Sequence, residues 1–206
     1  RVREIARKIF GLEAKIRVRG DKHRIDVSIY NVYLANKFRE LFGVLALNKK
    51  IPESFLFLNP KLQQGLLKGL WLGDGYFASW RHQPRAGFTT ISPILFQQVI
   101  FLLLRQRIIP STFKEAAKKI RGVNHQPSFR LHIGDMDSLE KLSAIIGVKF
   151  KRDPKKRHEK RIWFEDNYVC LPIKKVSKVA NKSERLFNFE VADSHTYTTN
   201  AFLVHN

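Results

Sequence analysis

The stretch LLKGLWLGDGYF, residues 66–77, decides how the rest of the chain is interpreted. Leu67, Gly69 and Gly73 recur at helical spacing and predict an apolar helix with glycines in its interior. Glycine inside a helix costs about 1 kcal/mol relative to alanine, so its use here indicates that a second helix approaches closely. The stretch holds one acidic residue, Asp74. We therefore predict a carboxylate at the end of a tightly packed pair of helices.

A carboxylate at the end of such a pair suits a hard cation. A symmetric mate helix would bring a second carboxylate to the same ions, and Mg²⁺ prefers oxygen ligands supplied by carboxylates and substrate phosphate. A pair of such ions activates water and stabilises the leaving oxygen of a phosphodiester. The position of Asp74 thus suits a Mg²⁺ ligand, and chemistry on a phosphodiester is one use for such ions.

Composition indicates a nucleic-acid partner. The chain has 206 residues, enough for one or two domains, with 38 lysines and arginines against 18 acidic residues and a formal net charge of +20. Such a charge repels itself unless a polyanion is present. No apolar run approaches the ~18 residues that a membrane span needs, so no membrane partner is predicted. The single Cys170 excludes an internal disulfide and fits a reducing cytoplasm.

The periodicity of the sequence predicts an α+β fold built on an internal repeat. The predicted elements are a helix at 1–10, strands at 13–19 and 24–30 and a helix at 31–43, then a helix at 92–107, a strand region at 111–121, a strand at 128–134 and a helix at 135–147. Ahead of the second set come the helix of residues 66–74 and two short strands, 76–80 and 87–91. The first set has no such counterpart, so we expect its missing helix and strands upstream of Arg1.

The predicted strands alternate apolar and basic residues, so that each sheet has one apolar face and one cationic face. Exposed strand faces are often lysine-rich without binding anything. Repetition in two related units, together with the +20 charge, favours strands that lie in a groove of double-stranded DNA. The predicted DNA-binding residues are Lys15, Arg17, Arg19, Arg24, Arg81, Arg85, Arg130 and His132.

The segment LKGLWLGDG, residues 67–75, resembles the second LAGLIDADG motif of the homing endonucleases. The matching residues are Gly69, Leu70, Asp74 and Gly75, whereas Lys68, Trp71, Leu72 and Gly73 depart from the motif. The resemblance implies two αββαββα units related by a pseudo-two-fold axis, of which the first is incomplete here. It also implies double-strand DNA cleavage with Mg²⁺, and Asp74 as catalytic residue and metal ligand.

The segment NKKIPESF resembles the Lys-x-Ile-Pro block that intein endonucleases carry between their two LAGLIDADG motifs. Lys49 takes the lysine position of that block. The resemblance implies that Lys49 lies near the metal and assists water activation or charge stabilisation. A solvated lysine in a turn is the alternative, and Lys50 is the neighbour that competes for the position.

The C-terminal stretches DSHTY, 193–197, and VHN, 204–206, resemble the last blocks of inteins, the self-splicing domains of the Hint fold. An asparagine carboxamide can attack its own main-chain carbonyl and release the chain that follows. The resemblance assigns this reaction to Asn206, with His205 polarising the carbonyl and His195 as general acid or base. Splicing needs no cofactor. Many inteins have an aspartate where this chain has Asn188, which therefore receives no catalytic role.

These resemblances divide the chain into two parts. Residues 1–160 are predicted as the endonuclease, with 1–43 as the remainder of the first unit, 44–150 as the Lys-x-Ile-Pro block and second unit, and 151–161 as a basic linker; residues 162–206 are predicted as the all-β C-terminal part of a Hint domain. The first LAGLIDADG motif and the splicing nucleophile are not found in the sequence. We therefore expect a C-terminal fragment of a split intein, whose partner is an N-terminal fragment.

Two other interpretations fit the same motifs. A degenerate intein or maturase-like protein would bind nucleic acid and splice but no longer cut DNA. A Hint domain that cleaves without ligating would keep the chemistry of Asn206 and lose the joining of the flanking chains.

Overall fold

The computed structural model describes nearly all of residues 2–149 and shorter stretches beyond. The described residues are 2–20, 24–80, 83–120, 122–149, 162–166, 168–173, 175–178, 180, 185, 189–193, 195–198 and 203–205. The chain forms two compact units, Arg1–Val169 and Cys170–Asn206. The predicted linker at 151–161 lies outside the described residues, and the predicted boundary after it stays a prediction.

The first elements are a helix, a β-hairpin and a second helix: α1 (Val2–Phe10), β1 (Ala14–Arg19), β2 (Arg24–Ile29) and α2 (Val32–Phe42). Asn31 starts α2, because its side chain accepts a hydrogen bond from the backbone N–H of Leu34 at 2.8 Å. Gly43 ends α2 at a φ of 78°, a left-handed value that glycine adopts without strain. The predicted order of these elements is confirmed.

A longer run of elements follows: α3 (Glu53–Leu56), α4 (Pro60–Asp74), β3 (Gly75–Trp80), β4 (Gln83–Thr90), α5 (Pro93–Arg105), β5 (Ser111–Glu115), β6 (Lys118–Ile120), β7 (Val123–His125), β8 (Ser128–Ile133) and α6 (Met136–Ile146). Four of the strands form an antiparallel sheet in the order β3-β4-β8-β5. The prediction of a helix, two strands, a helix, two strands and a helix is confirmed here. The hairpin of β6 and β7 and the short α3 were not predicted.

The core lies between one face of this sheet and the helices α4, α5 and α6. Helix α4 supplies Leu67 and Trp71, and the sheet supplies Phe88 and Leu131, all almost completely buried. The other buried core residues include Val99, Leu102, Leu103, Ile108, Ile133, Leu139 and Leu142. Burial of side chains of this size stabilises a fold by about 1.5–3 kcal/mol each, so this part of the chain has a substantial core.

The first hairpin and the helices α1 and α2 bury very few side chains, in contrast to the four-stranded sheet and its helices. Among the described residues of 2–50, only Ala6 and Ala14 are buried. The apolar side chains of the hairpin are largely open, with Val18 69% and Ile25 64% exposed. Along α1, Ile9 is 65% exposed. An apolar surface of this extent normally marks an interaction site.

The described residues beyond 161 form four short strands: β9 (Trp163–Glu165), β10 (Tyr168–Cys170), β11 (Thr196–Thr198) and β12 (Leu203–His205). β9 pairs with β10, and β11 pairs with β12. Residues 162–206 were predicted to be all-β, but the described residues between 171 and 193 form no strand. The Hint fold of this part therefore stays a prediction. Across the described chain, no helix has the length and apolarity to cross a membrane.

Candidate functional site

Asp74 is the last residue of α4, and β3 begins at the next residue without a connecting loop. A Cβ on Gly75 would lie 2.4 Å from Cδ1 of Trp71, so only glycine fits beside the indole ring at this junction. Trp71 is itself buried against Phe88, with ring centroids 5.8 Å apart. The carboxylate of Asp74 is therefore carried by a backbone junction that is fixed in the core.

Lys49 and Asp74, two of the predicted catalytic residues, meet at this junction. The Nζ of Lys49 donates a hydrogen bond to Oδ2 of Asp74 at 3.5 Å, although 25 residues separate them. About half of each side chain is exposed to solvent. The contact thus holds a cation and a carboxylate together on the surface, where a substrate can reach both.

The surroundings of Asp74 are compatible with its carboxylate being one of several ligands of a metal ion. The C-terminal end of a helix carries a partial negative charge that attracts cations, and Asp74 lies at the end of α4. Within the described residues, no three His, Cys, Asp or Glu side chains cluster as a complete metal site. A hard cation such as Mg²⁺ also takes ligands from water and substrate phosphate. Asp74 therefore suits a metal whose other ligands come from outside these residues.

The outer face of the four-stranded sheet is cationic, as the alternation predicted. Ala86 and Phe88 of β4, with Leu131 and Ile133 of β8, are buried on the core side. The residues that alternate with them on the two strands lie on the opposite face, and they include Arg85, Thr89, Arg130 and His132. The structure therefore brings three of the predicted DNA-binding residues, Arg85, Arg130 and His132, onto one surface.

Tyr76 and His132 form a hydrogen bond across the strand that separates them. Tyr76 pairs with Gly87, and Gly87 pairs with His132. The tyrosine ring lies over Gly87, where a Cβ would be 2.3 Å from its Cζ, and its hydroxyl is 2.8 Å from Nε2 of His132. Phe113 packs on the other side of the imidazole, with centroids 5.2 Å apart. The alternation in the sequence predicted that His132 lies on this face, but it did not predict the contacts with Tyr76 and Phe113.

The charged side chains on the outer face of the four-stranded sheet shift the pKa values of His132 and Glu115. Partial burial lowers the pKa of His132, Arg85 and Arg130 lower it further, and Glu115 offsets part of this effect. Glu115 forms ion pairs with Nη2 of Arg130 at 3.0 Å and with Nζ of Lys118 at 3.2 Å. A hydrogen bond from Lys118 and the charge of Arg130 lower the pKa of Glu115. Glu115 was not among the predicted site residues, and its place on this face follows from its pairing with Ser128.

The first hairpin repeats the pattern on a smaller scale. Lys15 faces Ser28 and Arg17 faces Asp26 across β1 and β2, while Ile16 faces Val27. The predicted alternation of apolar and basic residues is thus confirmed here as well. The backbones of Arg19 and Arg24 are paired in the same register, but their side chains are outside the described part. Arg81 is not among the described residues.

The two C-terminal motifs are adjacent in the second unit. β11 and β12 are antiparallel, and Thr196 pairs with His205. His195, the residue before this pair, is exposed and has a φ of 50°, as Asp193 has one of 65°. The backbone N–H of His195 donates to the carbonyl oxygen of Val191 at 3.2 Å. Asn206 and the side chain of His205 lie outside the described residues.

The segment around Asp74 is similar to a known protein family. Residues 61–147 match the family described as the LAGLIDADG-like domain. The match covers α4 through α6, with Asp74, the four-stranded sheet and its cationic face. The match ends at residue 147 and does not include the first hairpin or the C-terminal unit.

Several curated proteins are similar to nearly the whole chain. The uncharacterised protein MJ0043 of Methanocaldococcus jannaschii is 27% identical over 98% of the chain, the ATP-dependent DNA helicase Hel308 of Thermococcus kodakarensis is 28% identical over 94%, and a glutamine–fructose-6-phosphate aminotransferase of M. jannaschii is 28% identical over 84%. The chain spans only 25%, 17% and 16% of these three proteins.

Solved structures of the homing endonuclease I-DmoI are similar as well. One is a set of mesophilic variants and another is a complex with DNA and Mn. Each superposes with a TM-score of 0.48 at 14% identity, over 71% of this chain and 70% or 71% of the other.

Proposed function

We propose that this chain is part of an intein whose LAGLIDADG-like domain binds double-stranded DNA and cuts both strands, with Asp74 as a ligand of the catalytic metal. The observation that carries the proposal is the contact at the end of α4 between Asp74, which lies inside the matched residues 61–147, and Lys49, which precedes them. A carboxylate that can hold a metal ion and an ammonium that can stabilise charge on a phosphate, together at one exposed point, are groups that assist phosphodiester hydrolysis.

The sheet supports the DNA-binding part of the proposal. Its outer face carries Arg85, Arg130 and His132 on neighbouring antiparallel strands. Side chains on alternate residues of a β-ribbon reach phosphates and base edges in the major groove, which is about 12 Å wide. Tyr76 and Phe113 add flat polar and apolar surfaces on either side of His132. The face therefore offers both phosphate contacts and base contacts.

In the proposed reaction the two residues have different tasks. Asp74 would hold Mg²⁺ or a similar divalent ion, which supplies Lewis-acid stabilisation of the phosphodiester and lowers the pKa of bound water. Lys49, with its ammonium at 3.5 Å from Asp74, would stabilise negative charge as it develops on the phosphate oxygens or assist the attacking water. Both groups are exposed, so DNA bound on the sheet can approach them.

The open surfaces support an additional segment that completes the first unit. Leu62, Gly65, Gly69 and Leu72 lie along the exposed side of α4, and a Cβ added at either glycine would meet no described atom within 4 Å. The first hairpin leaves its apolar face exposed in the same way. We propose that an N-terminal segment with a helix and two strands covers both surfaces and brings a second carboxylate to the metal.

The identities of the relatives support the splicing part of the proposal. A helicase and an aminotransferase catalyse unrelated reactions, yet each contains a stretch similar to nearly this whole chain. A DNA polymerase of Thermococcus hydrothermalis does so too, at 26% identity over 88% of the chain. A module shared by such different enzymes is best explained as an insertion that removes itself. Asn206, His205 and His195 would perform the C-terminal step, and the N-terminal segment would supply the first nucleophile.

The experiment that tests the proposal combines this chain with its N-terminal segment, either in one polypeptide or as two fragments. The protein is incubated with Mg²⁺ or Mn²⁺ and a library of random double-stranded DNA, and new double-strand ends are sequenced. Ends at one recurring sequence, absent with a chelator, would support cleavage. Specific binding without ends would instead support the maturase-like interpretation.

Lys49→Met should lower the rate of DNA cleavage about a hundredfold, since positioned proton-transfer or charge-stabilising groups contribute on this order. DNA affinity should change little, because one exposed charge among many is lost. Single-turnover cleavage at saturating protein measures the effect. Lys50→Met is the matched control and should leave the rate within about threefold. Equal losses in the two variants would contradict the assignment of Lys49.

DNA affinity should rise as the pH falls from 7 to about 5.5, and His132→Gln should remove most of this slope. The lowered pKa leaves His132 neutral in the free protein at pH 7, and nearby phosphate favours the protonated form, so binding takes up a proton. Because the pKa of His132 is lower in the folded protein than in the unfolded chain, the free energy of unfolding also decreases once the pH falls below the ordinary pKa of histidine. Thermal unfolding at each pH therefore accompanies the titration. The exposed His125→Gln is the control; an unchanged slope in His132→Gln would contradict the prediction.

A further inference from the structure

The loop that carries Lys49 is hydrogen-bonded to α5 through the side chain of Gln98. The backbone N–H of Ile51 donates to Oε1 of Gln98 at 2.7 Å, and Nε2 of Gln98 donates to the carbonyl oxygen of Ile51 at 2.9 Å. A single carboxamide thus satisfies both backbone groups of one residue, 47 positions away along the chain. Ile51 is also buried, with 3% of its surface exposed.

A serine at the start of α5 fixes the residue itself. The hydroxyl of Ser92 donates to the carbonyl oxygen of Lys49 at 2.6 Å and accepts from the backbone N–H of Leu95 at 3.1 Å. Ser92 is completely buried. On the other side, the N–H of Lys50 donates to the carbonyl oxygen of Phe42 at 3.0 Å. The backbone around Lys49 is therefore held from several directions while its side chain stays half exposed.

We propose that Gln98 is a positioning residue, which fixes the backbone of Ile51 so that the ammonium of Lys49 stays beside Asp74 and the reacting phosphate. The inference rests on the proposed endonuclease function. The lysine side chain has four flexible carbons, so only a fixed backbone keeps its Nζ within reach of one carboxylate oxygen. A displacement of about 1 Å at a catalytic group can cost up to about a hundredfold in rate.

The helix offers a close comparison for Gln98. Gln97, its neighbour, is exposed, whereas Gln98 is half-buried against the loop. The apolar packing of α5 is supplied by Leu95, Val99 and Leu102, which are buried in the core. The helix is thus anchored without Gln98. The two hydrogen bonds from Gln98 to Ile51 instead connect α5 to the loop that carries Lys49. We therefore assign Gln98 the role of positioning that loop.

A cycle of variants in the protein that includes its N-terminal segment tests the proposal. Gln98→Leu should lower single-turnover cleavage about tenfold or more, with DNA affinity unchanged within about twofold. In a Lys49→Met background the same change should cost less than about twofold, because the residue that Gln98 positions is already lost. Gln98→Glu, which keeps the acceptor but loses the donor, should fall between. Gln97→Leu should be neutral in both backgrounds.

Hydrogen exchange separates this proposal from the function on which it rests. The Ile51 amide should exchange at least about tenfold faster in Gln98→Leu and unchanged in Gln97→Leu. Slow exchange in Gln98→Leu, no loss of rate, or equal losses in both backgrounds would overturn the role of Gln98 while cleavage by the parent stands. A parent protein that does not cut would overturn the proposed function, and with it this role, even where exchange shows that Gln98 holds the loop.

Discussion

Asp74→Asn is expected to abolish DNA cleavage while DNA binding is retained. The amide keeps the shape of the side chain but removes the charge that holds a divalent ion, and the stabilisation supplied by a catalytic metal is several kcal/mol. A loss of this size lowers the rate at least about a thousandfold. The fold should be preserved, because the Asp74 carboxylate is half exposed and its hydrogen bond with Lys49 lies on the surface. Cleavage of a mapped site and a gel-shift assay on the same DNA measure the two effects.

Asp135→Asn is the control for this change. Asp135 starts α6 by accepting a hydrogen bond from the N–H of Ser138 at 2.9 Å, and asparagine caps a helix about as well. The variant should therefore cut at nearly the parental rate. If Asp74→Asn cuts as the parent does, Asp74 is not the metal ligand. If the parent binds DNA specifically and never cuts, the chain belongs with the maturase-like alternative.

Asn206→Ala is expected to block release of the chain that follows it. In the proposed step the carboxamide nitrogen attacks the main-chain carbonyl carbon of Asn206 and closes a succinimide. The peptide bond to the next residue breaks, and the leaving nitrogen takes a proton from a histidine such as His195. Alanine has no side-chain nucleophile, so ligated product should be undetectable. Electrophoresis of a precursor with flanking domains shows the loss, and mass spectrometry identifies the succinimide in the parent.

Asn200→Ala is the matched control, since it removes an asparagine six positions earlier in the same stretch. It should leave splicing intact. Release of the flanking chain by Asn206→Ala would contradict the assignment. Release by the parent without joined flanks would favour the interpretation that the Hint part cleaves but does not ligate.

Sequence alone predicted the order of elements up to residue 147 well, because caps and periodicity are local signals. Asn31 and Gly43 mark the two ends of α2, and the alternation of β1 and β8 assigns their faces. The contacts within the candidate site were harder to predict from the sequence. Tyr76 reaches His132 only because three strands align in one register over Gly87, and Gln98 acts on a loop 47 residues away. Registers and loop contacts depend on tertiary packing, which periodicity does not encode.

The absence of a loop between α4 and β3 has a consequence for how the proposed endonuclease would acquire a new DNA target. Asp74 and Gly75 are consecutive, so the proposed metal ligand is joined directly to the first strand of the proposed DNA-binding sheet. Substitutions on β3 that alter DNA recognition would also shift the carboxylate. The strand β5 lies at the other edge, three strands away, or about 14 Å at the usual spacing. New specificities should therefore evolve first at β5, where recognition can vary without disturbing cleavage.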